Sequence, residues 1–172
     1  GLSRGREIIP LEQEICHVRS YLDIQKMRYG DRLDYQIRIP EELKKLYTVK
    51  LLIQPLAENS IYHGIKESDR KGTILITAGE EPGGVYLCVR DDGLGISQET
   101  LTILNADLKR GVTVSDGGYG IFNVNERIRL YFGRDYGLEL RSCTGEWTEA
   151  VIHLPKYIPE RTEWDVSDFD RR

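Results

Sequence analysis

Residues 51–64 read Leu-Leu-Ile-Gln-Pro-Leu-Ala-Glu-Asn-Ser-Ile-Tyr-His-Gly, and this stretch decides how the rest of the chain is interpreted. It predicts a helix from about Thr48 to Gly64, with Thr48 as its N-cap. Pro55 either kinks this helix or marks where it begins. Asn59 lies within an apolar run, where an amide is costly unless it finds a partner. Because its oxygen is a hard ligand of the kind that Mg²⁺ accepts, Asn59 is either a core-bonded asparagine or a metal ligand.

A first glycine-bearing segment, residues 89–96, reads Val-Arg-Asp-Asp-Gly-Leu-Gly-Ile. Gly93 and Gly95 lack a Cβ atom, so the backbone can turn tightly there and let a ring approach. The carboxylate of Asp91 only accepts hydrogen bonds, which matches an amino group on a ligand. The alternative is an ordinary Asp-Asp-Gly turn after a strand.

A second glycine-bearing segment, residues 117–127, reads Gly-Gly-Tyr-Gly-Ile-Phe-Asn-Val-Asn-Glu-Arg. Gly118 and Gly120 lead into a predicted helix, and amides at a helix N-terminus form a ready anion site. The segment is no Walker A loop, because no Gly-Lys-Ser/Thr follows. A Rossmann fingerprint is also excluded, because no strand directly precedes it.

In this order the three segments resemble the N, G1 and G2 boxes of the ATP-binding domain shared by sensor histidine kinases, gyrase-type ATPases and their relatives. The phrase around Glu58 and Asn59, followed by His63 and Gly64, is most similar to sensor histidine kinases of the LytS/YesM type. The resemblance covers roughly residues 8 to 155. It implies that Asn59 holds Mg²⁺ and that Asp91 accepts a hydrogen bond from the adenine amino group of ATP.

The resemblance also implies the remaining site residues. Glu58 is the candidate catalytic residue. Many histidine kinases carry a second polar residue at the position that Pro55 occupies here, so which residue acts as the general base is left undecided. Residues between Gly95 and Gly118 would form a mobile lid over the nucleotide. The predicted nucleotide-binding residues are Asn59, Tyr62, His63, Asp91, Gly93, Gly95, Lys109, Arg110, Gly118, Gly120 and Asn123.

Hydrophobic spacing predicts the architecture. Leu11, Ile15, Val18 and Leu22 form one apolar stripe, which predicts a helix over residues 9–27 that ends near Gly30, a residue suited to a left-handed cap. Hairpin-linked strands predict an α+β fold, a two-layer sandwich whose mixed, largely antiparallel sheet is covered by helices on one face. The resemblance implies the same Bergerat-type layout. The other predicted strands are 33–39, 73–78, 85–90, 137–142 and 148–154, and the other helices are 97–108 and 119–132, with a loop at 109–118.

Charge, cysteine spacing and the lengths of apolar runs limit the partners and the compartment that are expected for this chain. A net charge of −4 without a basic cluster gives no electrostatic footprint for nucleic acid. The three cysteines, Cys16, Cys88 and Cys143, show no metal or disulfide spacing, which favours a reducing compartment. No apolar run is long enough to span a bilayer, so a cytoplasmic domain is expected. Any membrane anchor of the full-length protein would lie in segments upstream of this chain.

The predicted organisation is the end of a dimerisation or linker helix at 1–30, an ATP-binding domain at 31–157 and a charged tail at 158–172. By resemblance the chain is the catalytic, Mg-ATP-binding part of a sensor histidine kinase that dimerises through upstream helices and passes phosphate to a response regulator receiver domain. The surroundings of His17 do not resemble the family's acceptor motif, so the acceptor histidine is expected upstream. The alternatives are an anti-sigma-factor-type serine kinase and a degenerate nucleotide-sensing or dimerisation module.

Overall fold

The computed structural model describes residues 7–112 and 120–159. Its strands are β1 (Ile8–Pro10), β2 (Leu33–Arg38), β3 (Tyr47–Val49), β4 (Gly72–Glu81), β5 (Gly84–Asp91), β6 (Gly137–Cys143) and β7 (Trp147–Leu154). Its α-helices are α1 (Leu11–Tyr29), α2 (Ile53–Ser60), α3 (Gln98–Arg110) and α4 (Gly120–Phe132). Short 3₁₀ turns lie at Gly30–Arg32 and Glu41–Lys45, and a π-helical turn, Ile61–Lys66, continues α2.

Strands β2, β4, β5, β7 and β6 lie side by side in that order and form a five-stranded sheet. β2 pairs with β4 in parallel, and the other neighbouring strands are antiparallel. The predicted α+β fold with a mixed, largely antiparallel sheet is therefore confirmed. A small second sheet of β1 and β3 was not predicted, because strands of three residues carry too little alternation to be recognised.

Helix α1 follows its predicted apolar stripe. Leu11, Ile15, Val18 and Leu22 are buried to 5% exposure or less and belong to the main hydrophobic core. Each such side chain contributes roughly 1.5–3 kcal/mol through burial. The helix ends before Gly30, whose φ of 56° is positive but whose ψ of −128° lies outside the left-handed helical region that was expected.

The start of the second predicted helix was wrong. Thr48 is not its N-cap but a buried residue of β3, paired with Ile9 of β1. Helix α2 begins at Ile53, so Pro55 lies in its first turn, where the missing amide proton costs no intrahelical hydrogen bond. Pro55 thus marks the helix start, one of the two predicted alternatives.

The two faces of the sheet differ in character. One face carries Ile74, Ile76 and Leu87, each at most 1% exposed, against the helices. The other carries charged side chains, among them His153 of β7, whose ring nitrogens lie 2.6 Å from Glu81 Oε1 and 2.8 Å from Glu139 Oε1. Burial would lower the pKa of His153, but these two carboxylates outweigh it and raise the pKa. His153 therefore has a structural place, between two carboxylates on the face of the sheet opposite the helices.

Within the described ranges, no helix is both long enough and apolar enough to cross a membrane.

Candidate functional site

A cavity of about 240 Å³ opens between α2 with its π-helical turn, the loop after β5, helix α3 and the sheet. Its apolar lining comes from aliphatic side chains that include Leu94, Ile96, Leu104, Ile121 and Leu140. Its polar lining is Asn59, His63, Glu67, Asp91, Thr100 and Thr148. An apolar cavity with a few convergent polar groups is typical of a small-molecule site, and a flat heteroaromatic ring fits this lining.

Asp91, the last residue of β5, is buried at the inner end of this cavity, with 6% of its surface exposed. Its Oδ1 accepts a hydrogen bond of 3.0 Å from the Gly93 amide, and the Ser60 hydroxyl also donates to the carboxylate. Burial raises the pKa of Asp91 to about 6, and the Gly93 and Ser60 hydrogen bonds limit that rise. A buried carboxylate at a cavity wall is a strong acceptor for a ligand N–H group.

Gly64 and Gly93 bring the π-helical turn and the loop after β5 into backbone contact. A Cβ atom on Gly93 would lie 2.5 Å from Gly64 Cα, and one on Gly64 would lie 3.0 Å from Asp91 Oδ1. Gly95 has a φ of 68°, and a Cβ atom there would lie 2.3 Å from the Cys143 carbonyl oxygen. Side chains at these positions would push Asp91 away from the segments that enclose it.

Asn59 lies on α2, one residue before Ser60, and its half-buried side chain lines the same cavity as Asp91. Among residues 7–112 and 120–159, its amide makes no hydrogen bond, and neither does that of exposed Asn123. The Asn59 amide is therefore available to a ligand. The interpretation of Asn59 as a core-bonded asparagine is not supported by this placement.

His63 also lines the cavity, and its Nδ1 lies 3.3 Å from Glu67 Oε2. Tyr62, the preceding residue, is 51% exposed and is not part of the lining. Its ring lies edge-on to His63 at 4.9 Å between centroids, with Lys66 Nζ 5.1 Å from the Tyr62 centroid. Tyr62 is thus at the rim, where it supports His63.

The structure does not bring Glu58 to the cavity. Its exposed carboxylate accepts a 3.2 Å hydrogen bond from Gln54. Burial raises the pKa of Tyr21 on α1 to about 12, and the negative charge of Glu58 adds to this rise, so Glu58 faces α1. Successive helical residues point about 100° apart, which accounts for Asn59 facing the cavity while Glu58 does not. The general-base role of Glu58 stays a prediction without support from its position.

Lys109 and Arg110 are also not brought to the cavity. They are the last residues of α3, which ends at Gly111 with a φ of 71°, so the loop predicted from residue 109 was wrong for these two. Arg110 pairs with Asp107. Lys109 lines a different depression, beside Asn125 and Arg129.

The second glycine-bearing segment is described only in part, because Gly118 lies outside the described residues. Gly120 is the exposed first residue of α4, and a Cβ atom there would be in ordinary contact with Pro55 at 3.6 Å. The starts of α2 and α4 are therefore neighbours. Asn123, one turn into α4, is exposed and does not line the cavity.

Several residues that line the cavity or hold its lining were missed by sequence reasoning. Ser60 could have been suspected because a hydroxyl beside Asn59 on an apolar helix needs a partner. Thr148 could not, since it reaches the site only because it stands opposite Asp91 in the pairing of β5 with β7. Thr100 lies in the first turn of α3, where its amide donates to the side chain of the N-cap residue Ser97.

Sequence comparison gives two family matches. Residues 47–158 match the family of histidine kinase-, DNA gyrase B- and HSP90-like ATPases, and residues 1–33 match a family described as histidine kinase. The sensor histidine kinase YesM of Bacillus subtilis is 35% identical over 87% of this chain and 24% of YesM. The sensor protein LytS of Bacillus anthracis is 31% identical over 91% of this chain and 26% of LytS. The chain thus spans about a quarter of the length of these relatives.

Solved structures support the same fold. The nucleotide-free catalytic domain of the histidine kinase ThkA superposes with a TM-score of 0.64 at 16% identity, covering 87% of this chain and 95% of that one. The Acinetobacter baumannii histidine kinase AdeS superposes with a TM-score of 0.57 at 12% identity, covering 87% of this chain and 66% of AdeS. At these identities the likeness concerns the fold.

Proposed function

The chain belongs to the family of histidine kinase-, DNA gyrase B- and HSP90-like ATPases, and from this premise we propose that it is the Mg-ATP-binding catalytic domain of a two-component sensor histidine kinase. The observation that carries the proposal is the cavity in which Asn59 and Asp91 meet. These two residues come from separate segments of the chain: Asp91 presents a hydrogen-bond acceptor for the adenine end of ATP, and Asn59 an oxygen ligand for the Mg²⁺ at the phosphate end.

Adenine recognition is assigned to the Asp91 end. The buried carboxylate accepts from the Gly93 amide through Oδ1 and has further acceptor capacity for an exocyclic amino group. Guanine presents a carbonyl oxygen at the corresponding ring position, which a carboxylate repels. The aliphatic lining, including Leu94 and Ile121, would pack against the ring. This arrangement supports selection of adenine over guanine.

The phosphates and the metal are assigned to the Asn59 end. Among the described residues, no cluster of three or more His, Cys, Asp or Glu could hold a metal by itself. Asn59 nevertheless offers an amide oxygen that makes no hydrogen bond within residues 7–112 and 120–159, and Mg²⁺ is commonly held by one or two protein ligands together with substrate phosphates. Bound Mg²⁺ would neutralise phosphate charge. His63 borders the same space, and Gly120 begins the helix whose first amides would face the phosphates.

The γ-phosphoryl group is proposed to pass to a histidine outside this chain, in the longer protein that the relatives' lengths suggest. The bond from phosphorus to the leaving ADP oxygen breaks as a bond to a ring nitrogen forms. The chain's contribution is to hold the nucleotide in position for this transfer. The phosphoryl group would then pass to an aspartate of a response regulator, with two kinase copies paired through upstream helices and a membrane anchor in the full-length protein.

The histidine kinase match at residues 1–33 favours this assignment over an anti-sigma-factor-type serine kinase. His17, exposed on α1 within that segment, is not proposed as the acceptor. An acid-labile, base-stable phosphate on the isolated chain after incubation with ATP would return the acceptor role to His17.

Calorimetric titration of the chain with ATP and GTP, with and without Mg²⁺, tests the proposal. We expect ATP to bind and GTP to bind much more weakly. Asp91→Asn should weaken ATP binding by at least about tenfold, since a charged hydrogen bond of about 1.5–3 kcal/mol is lost. Asp92→Asn is the matched control, because exposed Asp92 accepts from the Thr73 amide, 2.7 Å away, and does not line the cavity.

In the same titrations, Asn59→Ala should abolish the gain in ATP affinity that Mg²⁺ gives, whereas Glu58→Gln should leave it intact because Glu58 faces α1. No ATP binding by the folded chain would overturn the proposal and favour a degenerate interaction module. Equal binding of ATP by the Asp91→Asn variant would overturn the assignment of the adenine end.

A further inference from the structure

A strained turn precedes the helix that carries Asn59. Leu51 has a φ of 59°, the only positive φ of a residue other than glycine in the described part of the chain. For a leucine this conformation costs roughly 1–2 kcal/mol, so it persists only where neighbouring contacts enforce it. Its side chain is 44% exposed and cannot by itself hold the turn. The turn is held by the side chain of Leu52, which is fully buried in the core, and by contacts to the backbone of residues 50–52.

The first of these contacts comes from α1. Glu14, in the first turn of α1, is 1% exposed, and its Oε1 accepts a hydrogen bond from the Leu51 amide. The amides of Leu52 and Ile53 face the same carboxylate, although Oε2 has no hydrogen-bond partner of normal geometry among the described residues. Glu14 thus places a carboxylate at the N-terminus of α2, where negative charge is favoured.

The second contact comes from α4. The guanidinium of Arg127 donates through Nη1 to the Leu51 carbonyl at 3.1 Å and through Nη2 to the Lys50 carbonyl. Arg127 Nη2 also lies 3.9 Å from Glu7 Oε2, and the Lys50 amide donates to the Glu7 carbonyl at 2.8 Å. The amides of the turn are therefore bound by Glu7 and Glu14, which belong to the N-terminal segment that includes α1, and its carbonyl groups are bound by Arg127 of α4.

Helix α2 transmits the position of this turn to the cavity. It begins at Ile53, directly after the turn, and Asn59 and Ser60 are its last two residues. With a rise of about 1.5 Å per residue, Asn59 is roughly 9 Å from the helix start. A tilt of α2 about its start therefore displaces the Asn59 amide in proportion to that distance. Asp91 belongs to the sheet and is held by the Gly93 amide as well as by the Ser60 hydroxyl of α2, so the same tilt changes only one of its contacts and disturbs it less than Asn59.

We propose that Glu14 and Arg127 are positioning residues, which act through the Leu51 turn and α2 to set the Asn59 end of the cavity without touching the ligand. The inference rests on the proposed function for the identity of that ligand. It makes α1 part of the support of the site and gives the N-terminal segment a direct mechanical connection to the metal and phosphate end. In this proposal the buried carboxylate of Glu14 positions the Leu51 turn and does not serve the core alone.

The expected signature is a loss that is confined to one end of the nucleotide. Without the carboxylate, the buried Leu51 amide loses its acceptor and the turn can relax from its positive φ. We expect Glu14→Ala to weaken Mg-ATP binding by about tenfold and adenosine binding by less than about twofold. Glu14→Gln keeps an oxygen acceptor for the Leu51 amide and should restore Mg-ATP affinity to within about threefold of the original chain.

The experiment titrates the 172-residue chain and its variants with Mg-ATP and with adenosine, well below the melting temperature of each variant. Glu12→Ala is the matched control, since Glu12 lies in the same first turn of α1 but is exposed. Arg127→Ala should reproduce the selective loss, and combining it with Glu14→Ala should give a non-additive effect because both act on one turn. If Glu14→Ala does not fold, Arg127→Ala carries the test, with Glu14→Gln as the variant expected to stay close to the original affinity.

Equal losses for adenosine and Mg-ATP would mean that Glu14 and Arg127 serve stability alone, and unchanged Mg-ATP affinity in folded Glu14→Ala or Arg127→Ala would equally overturn the inference. A failure of the proposed function is distinguishable, because the original chain would then bind neither ligand. Selective loss in the Glu12→Ala control would attribute the effect to helix charge and also overturn it.

Discussion

The Asp91 end and the Asn59 end of the cavity are built by different means. Asp91 stands at the end of a strand and accepts from a glycine amide two residues away, so its surroundings are fixed mainly by the sheet and by local backbone contacts, with one further hydrogen bond from Ser60 of α2. Asn59 has no hydrogen-bond partner within the described ranges and depends on how α2 is held at its start. Under the proposed function, the adenine base would therefore meet a preformed end of the cavity, at Asp91. The phosphates would meet an end whose position can adjust with α2, at Asn59.

The largest expected effect tests how rigid the preformed end is. Gly93→Ala would place a Cβ atom 2.5 Å from Gly64 Cα, a clash between two backbones that no side-chain rotation relieves. We expect a loss of about 2–3 kcal/mol in the free energy of unfolding, together with loss of ATP binding. Denaturant titration measures the first and calorimetry the second.

Gly120→Ala is the matched control at the adjustable end, because within the described residues its Cβ atom would meet only Pro55 Cβ, at an ordinary 3.6 Å. Its free energy of unfolding should stay within about 0.5 kcal/mol of the original value. Equal destabilisation by the two substitutions would remove the proposed difference in rigidity between the two ends.

A smaller effect concerns the cost of keeping Asp91 buried. Burial raises its pKa from 3.8 to about 6, so the folded chain binds a proton more readily than the unfolded chain between these values. The carboxylate therefore lowers stability as pH rises from about 4 to 6, and the cost is fully present at pH 7. We expect Asp91→Asn to be more stable than the original chain by about 1–2 kcal/mol at pH 7, while binding ATP less well.

The measurement is the free energy of unfolding from pH 4 to 8 for both chains. The advantage of Asp91→Asn should shrink as pH falls below about 6, because protonation relieves the same cost in the original chain. A constant difference across this range would show that the cost of Asp91 is not its charge. Adenosine, which carries no phosphate to titrate, should bind about tenfold more weakly at pH 5 than at pH 7, since protonated Asp91 is a poorer acceptor.

Features that depend on local sequence could be predicted, whereas features that depend on contacts between distant segments could not be predicted from spacing along the chain. The order and type of the main elements and the α+β fold follow from local periodicity, whereas the meeting of the Asn59 and Asp91 segments was expected from the family resemblance. Thr48 was assigned wrongly because its pairing with β1 is a long-range contact that local N-cap chemistry does not reveal. Thr148 and Glu14 depend on strand register and helix packing, which no spacing along the chain encodes.

The smallest expected effect concerns Lys109, predicted from the sequence to contact phosphate. The structure places it at the end of α3, where its carbonyl accepts a 3.1 Å hydrogen bond from Arg129, beside a depression separate from the cavity. Because Lys109 is solvated and lies outside the cavity lining, its charge contributes little to binding after screening by salt. We expect Lys109→Ala to change ATP affinity by less than about twofold, no more than Lys156→Ala, which removes another exposed lysine that pairs with Glu80. A loss of tenfold or more that diminishes with added salt would show that the end of α3 moves into the site when nucleotide binds, and the adjustable end would then extend from α2 to α3.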